Sequence, residues 1–279
     1  MTPLEARTSE PPAAAPPDQS LAQAEQPVWS ALLSNPDSSR DLIATVIDPL
    51  PQELPLEDRA FDQVYEERWQ HRSSRYWSPV AVARRAASWF EERGGRRVLD
   101  VGSGAGKACI VGAMTTELEF VGIEQRAELV DVAQRAAKAL GVDARASFIH
   151  GMIAGFDAST FDCMYLYNPF AENLYADETR IDDSVELSAS RFLEDVHAVE
   201  GILSAAIVGT KVITYYGFGG RVPNSFAPIR TALMGDDSLR LWEKRREKST
   251  GYYVDLGHTA VRFGHIEKEQ PTYESVSGR

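Results

Sequence analysis

Residues 98–110, VLDVGSGAGKACI, carry the clearest structural pattern in the chain. The stretch starts with an apolar run of the kind found in buried strands, passes through a glycine-rich turn, and continues into an apolar segment typical of a helix. Several ligand-binding α/β folds share a strand, a glycine turn and a helix in this order. The spacing of the glycines therefore distinguishes which type of ligand such a turn can bind.

Two familiar ligand motifs fail on that spacing. A P-loop needs a glycine where Val101 stands and a hydroxyl side chain where Ala108 stands. A dinucleotide-binding turn needs its third glycine at the position of Lys107. Instead an acid, Asp100, is followed by alternating glycines, at Gly102, Gly104 and Gly106.

Alternating glycines after an acid fit S-adenosylmethionine, which presents an amino-acid head, a ribose and an adenine but no pyrophosphate. Backbone without a Cβ atom can approach the amino-acid portion closely, and Asp100 can favour its ammonium group directly or through water. Glu124 ends the next apolar run, FVGIE, where a carboxylate can accept hydrogen bonds from both ribose hydroxyls. The alternative is a tight strand-to-helix turn that binds nothing.

Apolar runs and amphipathic segments alternate through the middle of the chain. Strands are predicted at residues 97–101, 120–123, 147–150 and 161–167, and within 207–215. Helices are predicted at 58–76, from Ser78-Pro79 to Gly94-Gly95, from about Ala105, at 128–140, and along Phe192, Val196, Val199 and Leu203. Such alternation predicts a Rossmann-like, doubly wound parallel sheet. Two closing strands are expected from LRLWEK, YYVDL and TAVRF near the end.

The composition changes along the chain and predicts four regions. Residues 1–27, rich in Pro, Ala, Ser, Gln and Glu, cannot bury enough apolar surface to fold and are expected to be a disordered tail. Residues 28–96 are expected to form a helical extension, 97–270 the cofactor-binding domain, and 271–279 a flexible end.

The net charge and the number of cysteines argue against several other classes of protein. A net charge of −12 disfavours nonspecific binding to nucleic acid. Two cysteines, Cys109 and Cys163, make neither a disulfide framework nor a zinc site, and we expect two buried thiols and no metal. Because neither a membrane-spanning run nor an export signal is recognisable, we expect a cytoplasmic protein with no membrane association.

At this point the residues resemble class I S-adenosylmethionine-dependent methyltransferases. VLDVGSGAGK resembles the first motif of that class and VGIEQ its second, with Glu124 as the ribose acid. Residues 58–245 are also similar to an uncharacterised bacterial branch that carries an Asn-Pro-Phe motif. The resemblance implies a seven-stranded, mostly parallel sheet whose last strand is antiparallel, preceded by a helical extension that often covers the cofactor.

The resemblance also implies a set of cofactor-binding residues, which are Asp100, Gly102, Ser103, Gly104, Gly106, Lys107, Glu124, Gln125, Met152 and Asn168. The class commonly has Asp or Asn for the adenine amine where Met152 stands here. A methionine can only pack on the base, so that contact has to come from a backbone amide or another residue, such as Asp157.

The methyl acceptor side is predicted from Tyr167-Asn168-Pro169-Phe170, which resembles the Asn-Pro-Pro-Tyr/Phe motif of enzymes that methylate planar amino nitrogens. Asn168 is the expected catalytic residue, and the expected substrate contacts are Tyr167, Pro169, Phe170 and Glu172. One proline is present rather than two, and a plain strand-ending turn is the alternative.

The predicted reaction is methyl transfer to a nitrogen of a protein side chain or a small amine. O- or C-methylation of a small metabolite, or a non-catalytic S-adenosylmethionine-binding module, are the alternatives. Candidate general bases are Glu172, Tyr167 and His150. We also expect Tyr65, Tyr76 and Trp77 to line the pocket or pack in the core, and the loop 217–220 to form a mobile rim.

Overall fold

The computed structural model describes residues 56–175 and 179–255, and within them one sheet contains seven strands. Numbered along the chain, the strand order is β3-β2-β1-β4-β5-β8-β7. The first five strands are parallel, β8 is antiparallel to β5, and β7 is antiparallel to β8. The predicted Rossmann-like, mostly parallel fold is therefore confirmed.

The elements have the following bounds. The helices are α1 Leu56–Asp62, α2 Glu67–Tyr76, α3 Val80–Glu92, α4 Lys107–Thr115, α5 Ala127–Ala139 and α6 Ala189–Ala205, with a 3₁₀ turn at Ala171–Leu174. The strands are β1 Arg97–Val101, β2 Glu119–Glu124, β3 Ala146–His150, β4 Cys163–Tyr167, β5 Lys211–Tyr215, β6 Gly220–Pro223, β7 Phe226–Met234, β8 Asp237–Lys244 and β9 Tyr252–Asp255. In the described part of the chain, no helix is long and apolar enough to span a bilayer.

Two layers of apolar side chains cover the two faces of the sheet. In β1, Val98 packs in the layer formed with α3, α4 and α5, whereas Leu99 and Val101 pack in the layer formed with α6. This alternation follows from the period of two in a strand. Both cysteines are buried free thiols, as the sequence predicted.

The far edge of the sheet differs from the expectation. LRLWEK lies in β8, but its hairpin partner is β7, FAPIRTALM, which the sequence analysis missed. YYVD forms β9, which pairs with β6 in a separate two-stranded sheet. TAVRF, the tail at residues 1–27 and the end at 271–279 lie outside the described residues.

The segment before the sheet also differs in two details. Residues 58–76 form two helices rather than one, because the chain turns after Asp62 and brings the Tyr65 hydroxyl to the carbonyl of Ala105 at 3.1 Å. Ser78 does not cap α3, since its hydroxyl lies 2.9 Å from that of Tyr165. The Val80 amide instead donates to Asp58 Oδ1 at 2.9 Å, so that an acid of α1 caps α3.

Lys107, the first residue of α4, ties the N-terminal helices to the glycine turn. Its ammonium lies 2.6 Å from Asp58 Oδ1 and 2.8 Å from Asp62 Oδ1, and donates to Ser73 Oγ at 2.9 Å. All of these groups are buried. A buried cation needs such partners because it has lost its hydration, and removing one member of the set leaves the others uncompensated.

Asp100 is buried on the α3–α4 face of β1, two residues after Val98. It accepts the Cys109 thiol at 3.3 Å, and burial raises the pKa of its carboxyl group to about 7, with the thiol contact opposing that rise. The carboxyl group therefore carries a proton in the folded protein over a pH range in which the unfolded chain is ionised.

We predict that Lys107→Met lowers the free energy of unfolding by about 3–5 kcal/mol, because Asp58 and Asp62 are left as buried, unpaired charges. Urea denaturation measures the loss, and limited proteolysis reports whether α1 and α2 detach first. The matched control is Lys138→Met on the exposed side of α5. An unfolding free energy equal to that of the control would contradict the anchoring role.

We predict that Asp100→Asn flattens the pH dependence of stability between about pH 4 and 7. In the unmodified protein the native state keeps a proton that the unfolded chain loses, so the free energy of unfolding falls as the pH rises through this window. The contribution is at most about 4 kcal/mol, from a pKa raised from 3.8 to about 7. Denaturation at several pH values measures it, with the exposed Asp131→Asn as control. An unchanged slope would refute the buried, protonated carboxyl group.

Candidate active site

A cleft of about 1180 Å³, open solvent included, lies at the carboxyl ends of β1 to β4. This is the edge at which open α/β sheets bind ligands. The predicted residues that line it are Gly102, Gly104, Glu124, Gln125, Met152, Tyr167, Asn168, Pro169, Phe170 and Glu172. The structure thus brings most of the predicted set together around one space.

Glu124, the last residue of β2, is the buried acid at the centre of the cleft. Its Oε2 accepts the Gly104 amide at 3.0 Å and its Oε1 accepts the Arg126 amide at 2.9 Å. Burial raises the pKa of the Glu124 carboxyl group, and the two amide contacts oppose that rise. Each carboxylate oxygen can accept a second hydrogen bond, so the group can still bind a diol.

The glycine turn has the geometry that only glycine adopts without strain. Gly104 has φ +53°, and a Cβ atom there would lie 2.9 Å from the indole nitrogen of Trp77. Gly106 has φ +79°, and a Cβ atom there would meet the Phe148 ring at 2.5 Å. Gly104 thus allows the Trp77 indole to pack directly against the turn, whereas Gly106 is required for packing between α4 and β3.

The N-terminal helices supply one wall of the cleft. Trp77, directly after α2, lines it together with Arg75 and Tyr76. Its ring is tilted against Tyr65 at 5.0 Å between centroids, and its buried indole nitrogen has no hydrogen-bond partner among the described residues. Buried donors usually have an acceptor, so a ligand with an acceptor group beside the glycine turn would complete the hydrogen bonding of this N–H group.

Four predicted cofactor residues do not line the cleft. Asp100 points to the opposite side of β1, toward Cys109, because alternate residues of a strand face opposite ways. The Lys107 ammonium is held by its two acids, Ser103 is buried and Gly106 packs against Phe148. The interpretation of Asp100 and Lys107 as direct ligands is therefore corrected to structural roles.

Asn168 follows β4 in the left-handed region, with φ +40°. Its amide donates to the Gly217 carbonyl at 3.0 Å, and within residues 56–175 and 179–255 its side chain makes no hydrogen bond. Asparagine tolerates this conformation better than most residues, yet it still costs free energy. Gly217 is thus an anchor for Asn168, and Phe218 beside it is buried, which corrects the expectation of a mobile rim.

Glu172 is not available as a base. Its two carboxylate oxygens each accept a hydrogen bond of 2.9 Å from the Arg126 guanidinium, and the Ile181 amide donates to Oε1 at 2.6 Å. Arg126 also binds Asp182 Oδ1 at 2.9 Å. Arg126 was not among the predicted site residues, although it directly follows the motif residues Glu124 and Gln125. Its role is to hold the segment after β4 against the end of β2.

Aromatic side chains surround Asn168. Tyr167 stacks on Tyr215 at 5.2 Å between centroids and lies 5.9 Å from Tyr216, which itself has φ +56°. Across the cleft, Tyr76 lies 6.4 Å from Tyr175. Burial raises the pKa of Tyr167 and Tyr175, and it raises that of Tyr216 to about 12, so these hydroxyls stay protonated near neutral pH.

The wall beyond Glu124 follows β3 and the start of α6. Met152, Ile153, Arg191 and Asp195 line it, and the Arg191 guanidinium contacts the Met152 sulfur. Asp157, the suggested adenine contact, is exposed, accepts the Ser159 amide and does not line the cleft. Of the candidate bases, His150 is likewise exposed and pairs with the Gln125 carbonyl.

Comparison with known proteins gives one family match and several similar solved structures. Residues 92–194 match a family model described as a methyltransferase domain. A search of the curated proteins finds no match. An RNA methyltransferase from Salinibacter ruber in complex with S-adenosyl-L-homocysteine is similar at 23% identity over 63% of this chain and 98% of that one, with a TM-score of 0.48.

Two further solved structures are more distant. An O-methyltransferase from Bacillus cereus is 13% identical over 63% of this chain and 72% of that one, with a TM-score of 0.39. A methyltransferase from Geobacter sulfurreducens is 18% identical over 47% of each chain, with a TM-score of 0.34. The family match identifies residues 92–194 as a methyltransferase domain, and most of the residues predicted to bind S-adenosylmethionine line the cleft.

Proposed function

We propose that this methyltransferase transfers the methyl group to a nitrogen atom of a protein side chain or a small amine. The observation that carries the proposal is Asn168, which lines the cleft beside the glycine turn in a strained conformation and whose side chain makes no hydrogen bond within the described residues. Strained residues persist where the surrounding structure enforces them, and they are concentrated at functional sites.

The residues of the cleft fit the methyl donor in one orientation. The Glu124 carboxylate accepts from the two ribose hydroxyls through its remaining lone pairs. The backbone at Gly102 and Gly104 faces the amino-acid portion, and the unpaired Trp77 indole nitrogen is a donor for its carboxylate. Gln125 and Met152 lie on the side where the base belongs.

The acceptor side is built around Asn168 and Pro169. Gly102 brings β1 close to Pro169, since a Cβ atom on Gly102 would lie 3.1 Å from the Pro169 Cβ atom. The Asn168 amide oxygen and the Pro169 carbonyl accept hydrogen bonds from the N–H groups of the acceptor and aim its lone pair along the line of transfer. When bound, S-adenosylmethionine supplies a methyl group on a sulfonium centre. Positioning of this kind contributes on the order of 7–11 kcal/mol in well-oriented systems.

The charges of the cleft favour a nitrogen acceptor over a hydroxyl. A hydroxyl must lose its proton to a base, but Glu172 is held by Arg126 and Ile181. Glu124 is engaged by two amides, and the raised pKa values of Tyr167 and Tyr216 keep these phenols neutral. A neutral planar nitrogen can attack the methyl group first and release its proton to solvent afterwards, so it needs orientation before deprotonation, and orientation is what Asn168 offers. A cationic amine would have to lose its proton to solvent before it could react.

We predict that Glu124→Gln lowers the affinity for S-adenosylmethionine and for S-adenosylhomocysteine by about 10- to 100-fold, because a charged acceptor of two hydroxyls is lost. Isothermal calorimetry measures both ligands. Glu128→Gln, an exposed acid on α5, is the matched control. Circular dichroism checks that the variant folds, and undiminished affinity in the folded variant would contradict the ribose assignment.

We predict that Asn168→Ala reduces methyl transfer by about 100-fold or more while the affinity for the donor stays within about threefold, since the acceptor loses its orienting amide. Radiolabelled donor incubated with cell extract, separated into protein, nucleic-acid and small-molecule fractions, supplies the assay. Asn224→Ala, on the turn before β7, is the control.

The same fractions test the acceptor class. Label in protein or amine fractions that disappears in Asn168→Ala supports the proposal. Label in nucleic acid, or on hydroxyl or carbon atoms of a metabolite, would reject it, and so would full activity in the folded Asn168→Ala variant.

A further inference from the structure

Asp195, on the second turn of α6, is a buried acid of the cleft with an unused acceptor. The residue is 4% exposed and lines the wall beyond Glu124. Its Oδ2 accepts from Arg191 Nε at 3.1 Å, whereas its buried Oδ1 has no hydrogen-bond partner in the described part of the chain. Burying a carboxylate oxygen without a hydrogen-bond donor costs free energy. A ligand that donates a hydrogen bond to this oxygen would remove that cost.

The position of Asp195 indicates which donor that is. The glycine turn follows β1, Glu124 ends β2, and Met152 and Ile153 follow β3, in the order in which these strands adjoin one another. With the amino-acid portion at the turn and the ribose at Glu124, the adenine extends toward Met152 and Ile153. Asp195 shares that wall, because its partner Arg191 contacts Met152.

The other acids near this wall already have hydrogen-bond partners in the protein. Asp157 is exposed and bound to the Ser159 amide, and Glu172 and Asp182 are bound to Arg126. Met152 has only a thioether, which is a weak acceptor. Among the described acids at this wall, the buried carboxylate oxygen that is left without a donor is therefore Asp195 Oδ1.

We propose that Asp195 accepts a hydrogen bond from the 6-amino group of the cofactor adenine and thereby determines specificity for the base. Arg191 fixes the carboxylate through its other oxygen. The inference rests on the proposed orientation of the donor. It assigns the contact to the adenine amino group to helix α6, whereas the sequence predicted that contact in the segment after β3.

The test compares the affinities of S-adenosyl-L-homocysteine and S-inosyl-L-homocysteine, in which an oxo group replaces the 6-amino group. The unmodified protein is expected to prefer the adenosyl compound by about tenfold or more, because an acceptor facing the oxo group is left unpaired. In Asp195→Asn the side chain offers a donor, so the preference falls to near one or reverses. In Asp195→Ser, whose hydroxyl both donates and accepts, it falls to near one.

Glu194→Gln, the exposed neighbour on α6, is the control and keeps the preference of the unmodified protein. The proposal is overturned if either folded Asp195 variant keeps that preference, or if the unmodified protein binds both compounds equally. Loss of all binding in Glu124→Gln together with an unchanged ratio in Asp195→Asn would reject the base contact alone. Failure of the unmodified protein to bind either compound would overturn the donor site and the base contact with it.

Discussion

The carboxylate of Glu124 is the group on which the rest of the site depends. One oxygen fixes the glycine turn through the Gly104 amide, and the other fixes the start of α5 through the Arg126 amide. The side chain of Arg126 in turn holds Glu172 and Asp182. A single buried acid thus connects the ends of β1 and β2 with the segment after β4. Because both of its oxygens are already oriented by the backbone, little conformational entropy remains to be lost when a ligand binds.

The N-terminal helices belong to the site for a different reason. The cluster of Lys107, Asp58 and Asp62 fastens them over the glycine turn, and the Tyr65 hydroxyl adds a bond to the Ala105 carbonyl. These contacts bring Trp77 against Gly104. The acids of α1 and the lysine that begins α4 are far apart in sequence. Their ion cluster takes no part in the reaction, but it positions the helices that form one wall of the cleft.

The sequence predicted the parallel half of the sheet well, because four of its five strands, β1, β2, β4 and β5, are mostly buried apolar runs and β3, which is partly exposed, still alternates in the pattern of a strand. It missed β7, whose alternating exposure and internal Pro228 are typical of an edge strand and weaken the strand pattern. It identified Glu124 and Asn168 as candidate site residues because each lies in a recognisable motif at the end of a predicted strand. Lys107 was misinterpreted and Asp195 overlooked because their roles depend on partners brought by other elements. Asp195, four residues after Arg191, has the spacing of an ordinary helical surface ion pair.

The buried cluster at Lys107 has a consequence for where this protein can be cut. The boundaries that sequence matching draws, at residues 92 and 194, would discard the two acids that neutralise the lysine, the indole over the turn, and the three strands that complete the sheet. Such a fragment would lose both the partners of the Lys107 ammonium and the helices that cover it, and it would have an open sheet edge. A fragment that keeps these contacts has to start upstream of Asp58 and include β8, so the segment that sequence matching recognises is smaller than the unit that the contacts hold together.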